Sequence, residues 1–272
     1  MKPVLAAAAA LVLGAAVAAP AAAITRGGSL DGQDHPYVGI MVSSTYDADG
    51  ELVPQSRCSG SLISPTVYVT AGHCTFGADS VEIWFETTLE PTPADFGYPY
   101  EGATSVTGTP YTHPEYDDAA FYLHDLGVVV LDEPVELDRY AELPQVGVVD
   151  TLPKGRNGAV VTAVGYGLQA ASSNPVQPER NVAELTRYQA DLFVLNTQGA
   201  NGAGTASGNQ SILLSGDAKH GGTCFGDSGG PALVGDTLVS VNSYGLNGNC
   251  AGVGGMFRID QERELGFIRG FL

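Results

Sequence analysis

Short apolar runs separated by turn-forming residues make up most of this chain after its first two dozen positions. The runs are rich in β-branched and aromatic residues, and Gly, Pro, Asn and Asp stand between them. Clear examples are residues 37–42, 81–85 and 159–164. Runs of this length and composition are typical of strands, and many short strands with Gly and Pro between them indicate a sandwich or a barrel. We therefore predict an all-β protein.

The last segment has a different pattern. Leu265 and Ile268 stand three positions apart within a stretch rich in charged residues, a spacing that predicts one apolar helix face. Asp260 precedes them and is a residue type that favours the N-cap position. We predict a C-terminal helix over about residues 260–272.

The first 23 residues have the pattern of a secretory signal peptide. Lys2 is followed by an apolar stretch over residues 4–19, and residues 21–23 are all Ala. The alternative is a membrane anchor, but the stretch is short for a bilayer span. We predict a signal peptide over residues 1–23 and one secreted, extracellular domain over residues 24–272.

The charge of the chain is strongly negative. Thirty Asp and Glu residues outnumber twelve Lys and Arg residues, for a formal net charge of −18. Such a surface disfavours nucleic acid or an anionic membrane as a partner, and we predict neither. A monomer is the default expectation.

Four cysteines in a secreted chain indicate two disulfides, and three pairings are open in principle. Zinc binding is the rival interpretation, but no C-x-x-C motif occurs in the sequence. We predict no metal and no cofactor.

Candidate nucleophilic chemistry lies near the C-terminus, where Ser228 stands between glycines in residues 221–231. A serine hydroxyl is a poor nucleophile unless a base removes its proton. His73, in Thr70-Ala71-Gly72-His73-Cys74, is the candidate general base, and Asp125 opens the apolar run 125–131. Together they make a Ser-His-Asp triad in the order His73, Asp125, Ser228.

Residues 226–230 also match G-x-S-x-G, the nucleophile elbow of α/β-hydrolases. That fold requires the histidine after the serine and a helix directly after the turn. All five histidines precede Ser228, and Pro231 follows the glycine pair. The elbow interpretation is therefore excluded.

With these motifs the chain resembles the chymotrypsin/trypsin-like serine proteases, in particular the bacterial secreted type. Further segments that carry the resemblance are Gly27-Gly28, residues 58–64, 243–245 and 255–259. It implies two packed antiparallel six-stranded β-barrels, near residues 30–140 and 141–258, with the helix after them. It also implies a serine endopeptidase that acts through an acyl-enzyme on proteins or peptides, with protein inhibitors as further partners. The alternative is a catalytically silent binding protein with a protease fold.

The resemblance assigns roles to further residues. The backbone N–H groups of Gly226 and Ser228 are expected to form the oxyanion hole. The Ile24 ammonium is expected to pair with Asp227 after cleavage behind Ala23, although the start Ile-Thr-Arg-Gly-Gly is one residue longer than the family's Ile-Val-Gly-Gly. The disulfides implied are Cys58–Cys74 and Cys224–Cys250. The implied specificity-pocket residues are Gly222, Thr223, Ser243, Gly245 and Gly255. The uncharged Gly222 at the pocket floor predicts cleavage after large apolar residues.

Overall fold

The computed structural model describes residues 24–25, 27–91, 98, 100, 104–155, 157–171, 184–199, 209–217 and 220–272. The expected signal peptide, residues 1–23, lies outside the described part of the chain.

Strands form nearly all of the regular structure, as the pattern of apolar runs predicts. They are β1 (Ser29–Leu30), β2 (Val38–Tyr46), β3 (Leu52–Leu62), β4 (Val67–Thr70), β5 (Ser80–Trp84), β6 (Val106–Thr112), β7 (Gly127–Leu131), β8 (Val160–Gly165), β9 (Tyr188–Asn196), β10 (Ser211–Leu214), β11 (Pro231–Val234), β12 (Thr237–Gly245) and β13 (Gly254–Arg258). The two helices are α1 (Gly72–Thr75) and α2 (Glu262–Arg269).

Two closed antiparallel barrels contain all of these strands except β1. Barrel one closes in the order β2-β3-β4-β7-β6-β5, since β5 pairs with β2. Barrel two runs β8-β9-β10-β13-β12-β11 and closes through β8 and β11, while β1 adds to β9 from outside. The expected two six-stranded barrels are confirmed. Strand β1 is thus joined to barrel two, although it precedes barrel one in the sequence.

A buried arginine links the N-terminal segment to both barrels. The Arg187 side chain is fully buried and forms an ion pair with Asp31 at 2.8 Å. It also donates to the backbone oxygens of Val38 and Phe85, at 2.9 and 3.0 Å, and to the Tyr166 hydroxyl at 3.2 Å. A buried charge is tolerated where each of its donors finds an acceptor in this way. These bonds hold the barrels in a fixed relation, and the candidate site lies between them.

The C-terminal helix is present but its start differs from the prediction. Leu265 and Ile268 are buried, as their spacing predicts. The N-cap is Gln261, not Asp260. Asp260 is buried instead, where it pairs with Arg258 at 2.9 Å and accepts the Val149 N–H at 2.8 Å. A buried guanidinium is a stronger partner for this carboxylate than a helix end. No helix in the described part of the chain is long and apolar enough to span a membrane.

Candidate active site

Strand pairing brings His73 and Asp125 to the same end of barrel one. His73 lies in α1, directly after β4, and Asp125 directly precedes β7. Since β4 and β7 are antiparallel neighbours with Thr70 opposite Gly127, the two side chains meet. His73 Nδ1 lies 2.9 Å from Asp125 Oδ2, and the His73 backbone N–H donates to Oδ1 at 2.8 Å. The imidazole is thereby fixed in position and in tautomer.

The carboxylate of Asp125 is fully buried. It also accepts a hydrogen bond of 2.6 Å from the Ser243 hydroxyl, on β12 of the other barrel. Burial of the imidazole lowers the pKa of His73, but the charge and hydrogen bond of Asp125, with a contribution from Asp118, outweigh it and raise this pKa above 6.5. A raised pKa makes the imidazole a stronger base.

The turn that carries Ser228 packs against the strand that leads to His73. The Ser59 N–H donates to the Ser228 carbonyl at 2.7 Å, which pins this turn to β3. Gly229 has φ +75°, and a Cβ there would lie 2.0 Å from Thr70 Oγ1 and 2.7 Å from the Ala71 nitrogen. Only glycine permits this approach. The described residues include no hydrogen bond between the Ser228 hydroxyl and His73, although the turn lies against Thr70 and Ala71, which directly precede α1.

The backbone N–H groups of Gly226 and Ser228 point away from the hydrogen-bond donors that the preceding carbonyl groups bind. The Phe225 carbonyl accepts from Leu168 N at 2.8 Å, and the Asp227 carbonyl accepts from Gly230 N at 2.8 Å. A trans peptide holds its C=O and N–H on opposite sides, so the N–H groups of Gly226 and Ser228 point the other way. Neither has an acceptor among the described residues. These are the two donors expected for the oxyanion hole.

Asp227 points into the protein, away from the cleft. Its carboxylate is buried and accepts from the N–H groups of Gly167 and Cys224, at 2.8 and 2.9 Å. Burial raises the pKa of Asp227 to about 7, against the lowering effects of these two bonds and of the Arg57 charge. Ile24 is buried in the core of barrel two. In the full-length chain its nitrogen belongs to a peptide bond, so the pair with Asp227 stays a prediction for the cleaved form.

A cavity of about 260 Å³ opens beside Ser228, and the described residues that line it are all uncharged. Thr223, Ser243 and Gly245, three of the expected pocket residues, line it. Phe121 and Phe225, both largely exposed, stand at its edge and are lining residues that the sequence analysis missed.

Two of the expected pocket residues, Gly222 and Gly255, are not among the described residues that line this cavity. A Cβ on Gly255 would lie 2.1 Å from the ring of Tyr244, which is a lining residue. Its neighbour Gly254 faces Thr223 instead, with Oγ1 3.1 Å from the Cβ position, and lines a small cavity that adjoins the larger one. A Cβ on Gly222 would lie 3.1 Å from the Gly216 Cα, so this position is closely packed. The pocket roles of Gly222 and Gly255 stay predictions, and Gly254 is added to them as a lining residue of the adjoining cavity.

Both disulfides that the resemblance implies are present. Cys58–Cys74 joins β3 to α1, and Cys224–Cys250 joins the Ser228 loop to the segment before β13. The cross-links therefore brace the elements that carry the histidine and the serine.

Comparison with known proteins adds sequence and fold evidence. The family model described as Trypsin matches residues 26–260. The chain is 27% identical to a trypsin of Saccharopolyspora erythraea, over 82% of this chain and 86% of the relative. It is 29% identical to brachyurin of Leptuca pugilator, over 71% and 77% of the two chains. The fold is similar to that of HL collagenase, with a TM-score of 0.63, 19% identity, and coverage of 87% and 94%.

Proposed function

Because the chain belongs to the trypsin family, and is therefore a serine endopeptidase of the chymotrypsin-like fold, we propose that His73, Asp125 and Ser228 carry out its peptide-bond hydrolysis. The observation that supports this most is the environment of Asp125. The Asp125 carboxylate is fully buried, and its oxygens are bonded to His73 and Ser243. Burial of a charge is unfavourable for the stability of the fold, so its presence here supports a role in orienting the histidine.

The chemistry follows from the positions of these groups. Ser228 Oγ attacks the carbonyl carbon as His73 Nε2 takes its proton, which forms the tetrahedral intermediate. The same proton passes to the leaving amine as the C–N bond breaks, and an acyl-enzyme remains. Water, deprotonated by His73, then hydrolyses the ester and restores Ser228. Asp125 stays ionised and stabilises the imidazolium. The missing Ser228–His73 hydrogen bond does not conflict with this role, because such bonds often tighten only when substrate binds.

The free N–H groups of Gly226 and Ser228 supply the electrostatic part of the mechanism. Two N–H groups without acceptors, so close to the Ser228 hydroxyl in the chain, are suited to an oxyanion that forms only in the transition state. Removal of one such donor in other enzymes raises the barrier by about 3 kcal/mol. The residues on either side hold this geometry, since the Phe225 and Asp227 carbonyls are both fixed by hydrogen bonds.

Substrate preference is proposed from the cavity beside Ser228. An uncharged wall offers no partner to Lys or Arg, and a volume of about 260 Å³ suits a large apolar side chain. The exposed rings of Phe121 and Phe225 extend this apolar surface. We therefore propose cleavage after large apolar residues.

Secretion, bacterial origin, a monomeric state and inhibition by proteins remain proposals as well. Two disulfides among the four cysteines fit an oxidising compartment. The Ala-rich N-terminal sequence fits export.

Covalent labelling tests the proposed triad. The protein secreted from the full-length gene is treated with a fluorophosphonate, and the adduct is located by mass spectrometry. We expect one adduct, on Ser228, and none in Ser228→Ala or His73→Gln. A folded wild-type protein that is not labelled would overturn the assignment and favour the alternative, a silent protease-fold binding protein.

A further inference from the structure

The histidine next to the triad aspartate belongs to a second cluster. His124 directly precedes Asp125 in the chain, yet its side chain lies against α2 and not against His73. Its Nδ1 is 3.6 Å from Glu264 Oε1. The backbone of His124 is left-handed, with φ +51°, which is uncommon for a residue other than glycine and directs the ring away from the triad.

A third residue completes the cluster. His113 follows β6, and its ring is stacked on that of His124 with centroids 5.2 Å apart. One ligand atom from each of His113, His124 and Glu264 lies within 4.8 Å of the other two. The three residues come from different segments, so that barrel closure and the docking of α2 bring them together.

Two polar atoms of this cluster have no hydrogen-bond partner among the described residues. They are His124 Nδ1 and Glu264 Oε2. Glu264 is 1% exposed, and an ionised carboxylate in such a place is unfavourable unless a cation compensates it. Native proteins satisfy nearly all buried polar groups, so two unsatisfied atoms in one cluster, on side chains that approach to 3.6 Å, call for a ligand.

We propose that His113, His124 and Glu264 bind a divalent transition-metal ion, with Zn²⁺ as the best match. Two imidazoles and one carboxylate form a ligand set that Zn²⁺ takes in tetrahedral sites, with water in the fourth position. Ligand atoms about 2.1 Å from a tetrahedral ion lie roughly 3.4 Å apart, and the His124 Nδ1–Glu264 Oε1 separation is 3.6 Å. Ca²⁺ and Mg²⁺ fit poorly, because they need more oxygen ligands.

The surroundings supply a second layer of support. Glu115 Oε2 lies 3.5 Å from His124 Nε2, where it can accept the ring N–H and leave Nδ1 free to bind the ion. Gln210 Nε2 lies 3.2 Å from the same nitrogen and favours the other tautomer. The Glu115 N–H donates to His113 Nδ1 at 3.2 Å. The Gln210 contact and the Glu115 N–H contact each use a ring lone pair, so we expect both to be lost when the ion binds, whereas the contact of Glu115 Oε2 is expected to remain.

Calorimetric titration with Zn²⁺ tests the site. It is performed on the full-length gene's secreted product carrying Ser228→Ala, which makes the result independent of the proposed catalytic activity. We expect one equivalent of Zn²⁺ to bind, and the affinity to fall by about 10- to 100-fold in Glu264→Gln. His220→Gln is the matched control, since His220 is a more exposed histidine paired with Asp217, and there the affinity is expected to stay unchanged. Equal affinity with and without Glu264→Gln would overturn the proposal.

A second measurement needs no ligand substitution. Co²⁺ added to the same protein is expected to give the intense visible absorption of a tetrahedral ion, and Zn²⁺ to displace it. Only the weak spectrum of octahedral Co²⁺ would overturn the proposal even if Glu264→Gln failed to fold.

Discussion

Ser243 donates a hydrogen bond of 2.6 Å to Asp125, from β12 of barrel two to the end of barrel one. The acceptor is Oδ2, the same oxygen that lies 2.9 Å from His73 Nδ1. The buried carboxylate is thus held from both barrels. The orientation of the imidazole therefore depends on how the barrels pack, and not on barrel one alone.

Replacement of the Ser243 hydroxyl tests whether the contact between the barrels contributes to the orientation of His73. In Ser243→Ala, Asp125 loses one of its partners, and we expect kcat/KM to fall tenfold or more, because a hydrogen bond to a charged group is worth about 1.5–3 kcal/mol and about 1.4 kcal/mol is a factor of ten. Ser240→Ala is the matched control. Ser240 is a buried serine in the same strand whose hydroxyl has no partner among the described residues. Equal activity losses in the two variants would contradict a specific role for Ser243.

The pH dependence of the activity is expected to follow His73. The base must be neutral, so kcat/KM is lost as the pH falls below the raised pKa of His73. Asp118→Asn removes a negative charge that contributes to this rise, and so shifts the acidic limb to lower pH. The shift should shrink in high salt, because the Asp118 side chain is exposed.

Asp117→Asn provides the control for that shift. Asp117 is the adjacent carboxylate, and it accepts the Ala119 N–H at 2.9 Å, a bond that Asn retains. Profiles of kcat/KM against pH for both variants measure how far the acidic limb moves in each. An acidic limb that moves equally in both, or in neither, would refute the contribution assigned to Asp118.

Gly254 is expected to control the size of the specificity pocket. A valine there places a side chain against Thr223, whose Oγ1 is 3.1 Å from the Cβ position. We expect kcat/KM for peptides with Phe before the scissile bond to fall about 10- to 100-fold relative to peptides with Ala there. Gly248→Val is the control, because Gly248 lines the larger cavity beside Ser228 but its Cβ position has open space around it. An unchanged preference in Gly254→Val would exclude Gly254 from the pocket.

The raised pKa of Asp227 provides a test of the expected ion pair between this carboxylate and the ammonium group that cleavage before Ile24 creates. In the uncut chain this carboxyl holds a proton that the unfolded chain releases, so stability is expected to fall as the pH rises from about 4 to about 7. A new Ile24 ammonium paired with Asp227 would stabilise the charged form and remove this loss.

The measurement compares a chain that begins at Ile24 with one that retains Ala22 and Ala23. At pH 8 we expect the shorter chain to have the higher Tm and the higher kcat/KM, and Asp227→Asn to abolish both differences. Equal values for the two unmutated chains would show that no such pair forms.

Much of this protein could be predicted from local sequence. Alternating and continuous apolar runs predict strands wherever they occur, and the residues around His73, Asp125 and Ser228 indicate a nucleophilic triad before any coordinates are known. Such patterns work because strand preference and the chemistry of a side chain are properties of a few neighbouring residues. The helix cap shows the limit, since the Asp260 carboxylate is bonded to the buried Arg258 side chain, two residues before it, and to the backbone N–H of Val149, far away in the sequence.

Contacts between distant segments were decided only by the tertiary structure. The register of β12 against β13 shifts between Asn242 and Tyr244, and this shift decides that Gly254 and not Gly255 faces Thr223. One residue of register exchanges the two faces of a strand, and no local pattern specifies it between two glycines. The Ser243–Asp125 bond and the His113–His124–Glu264 cluster have the same origin. Their members are brought together by barrel closure, barrel packing and the docking of α2, so the sequence determined the chemical groups and the fold determined which of them meet.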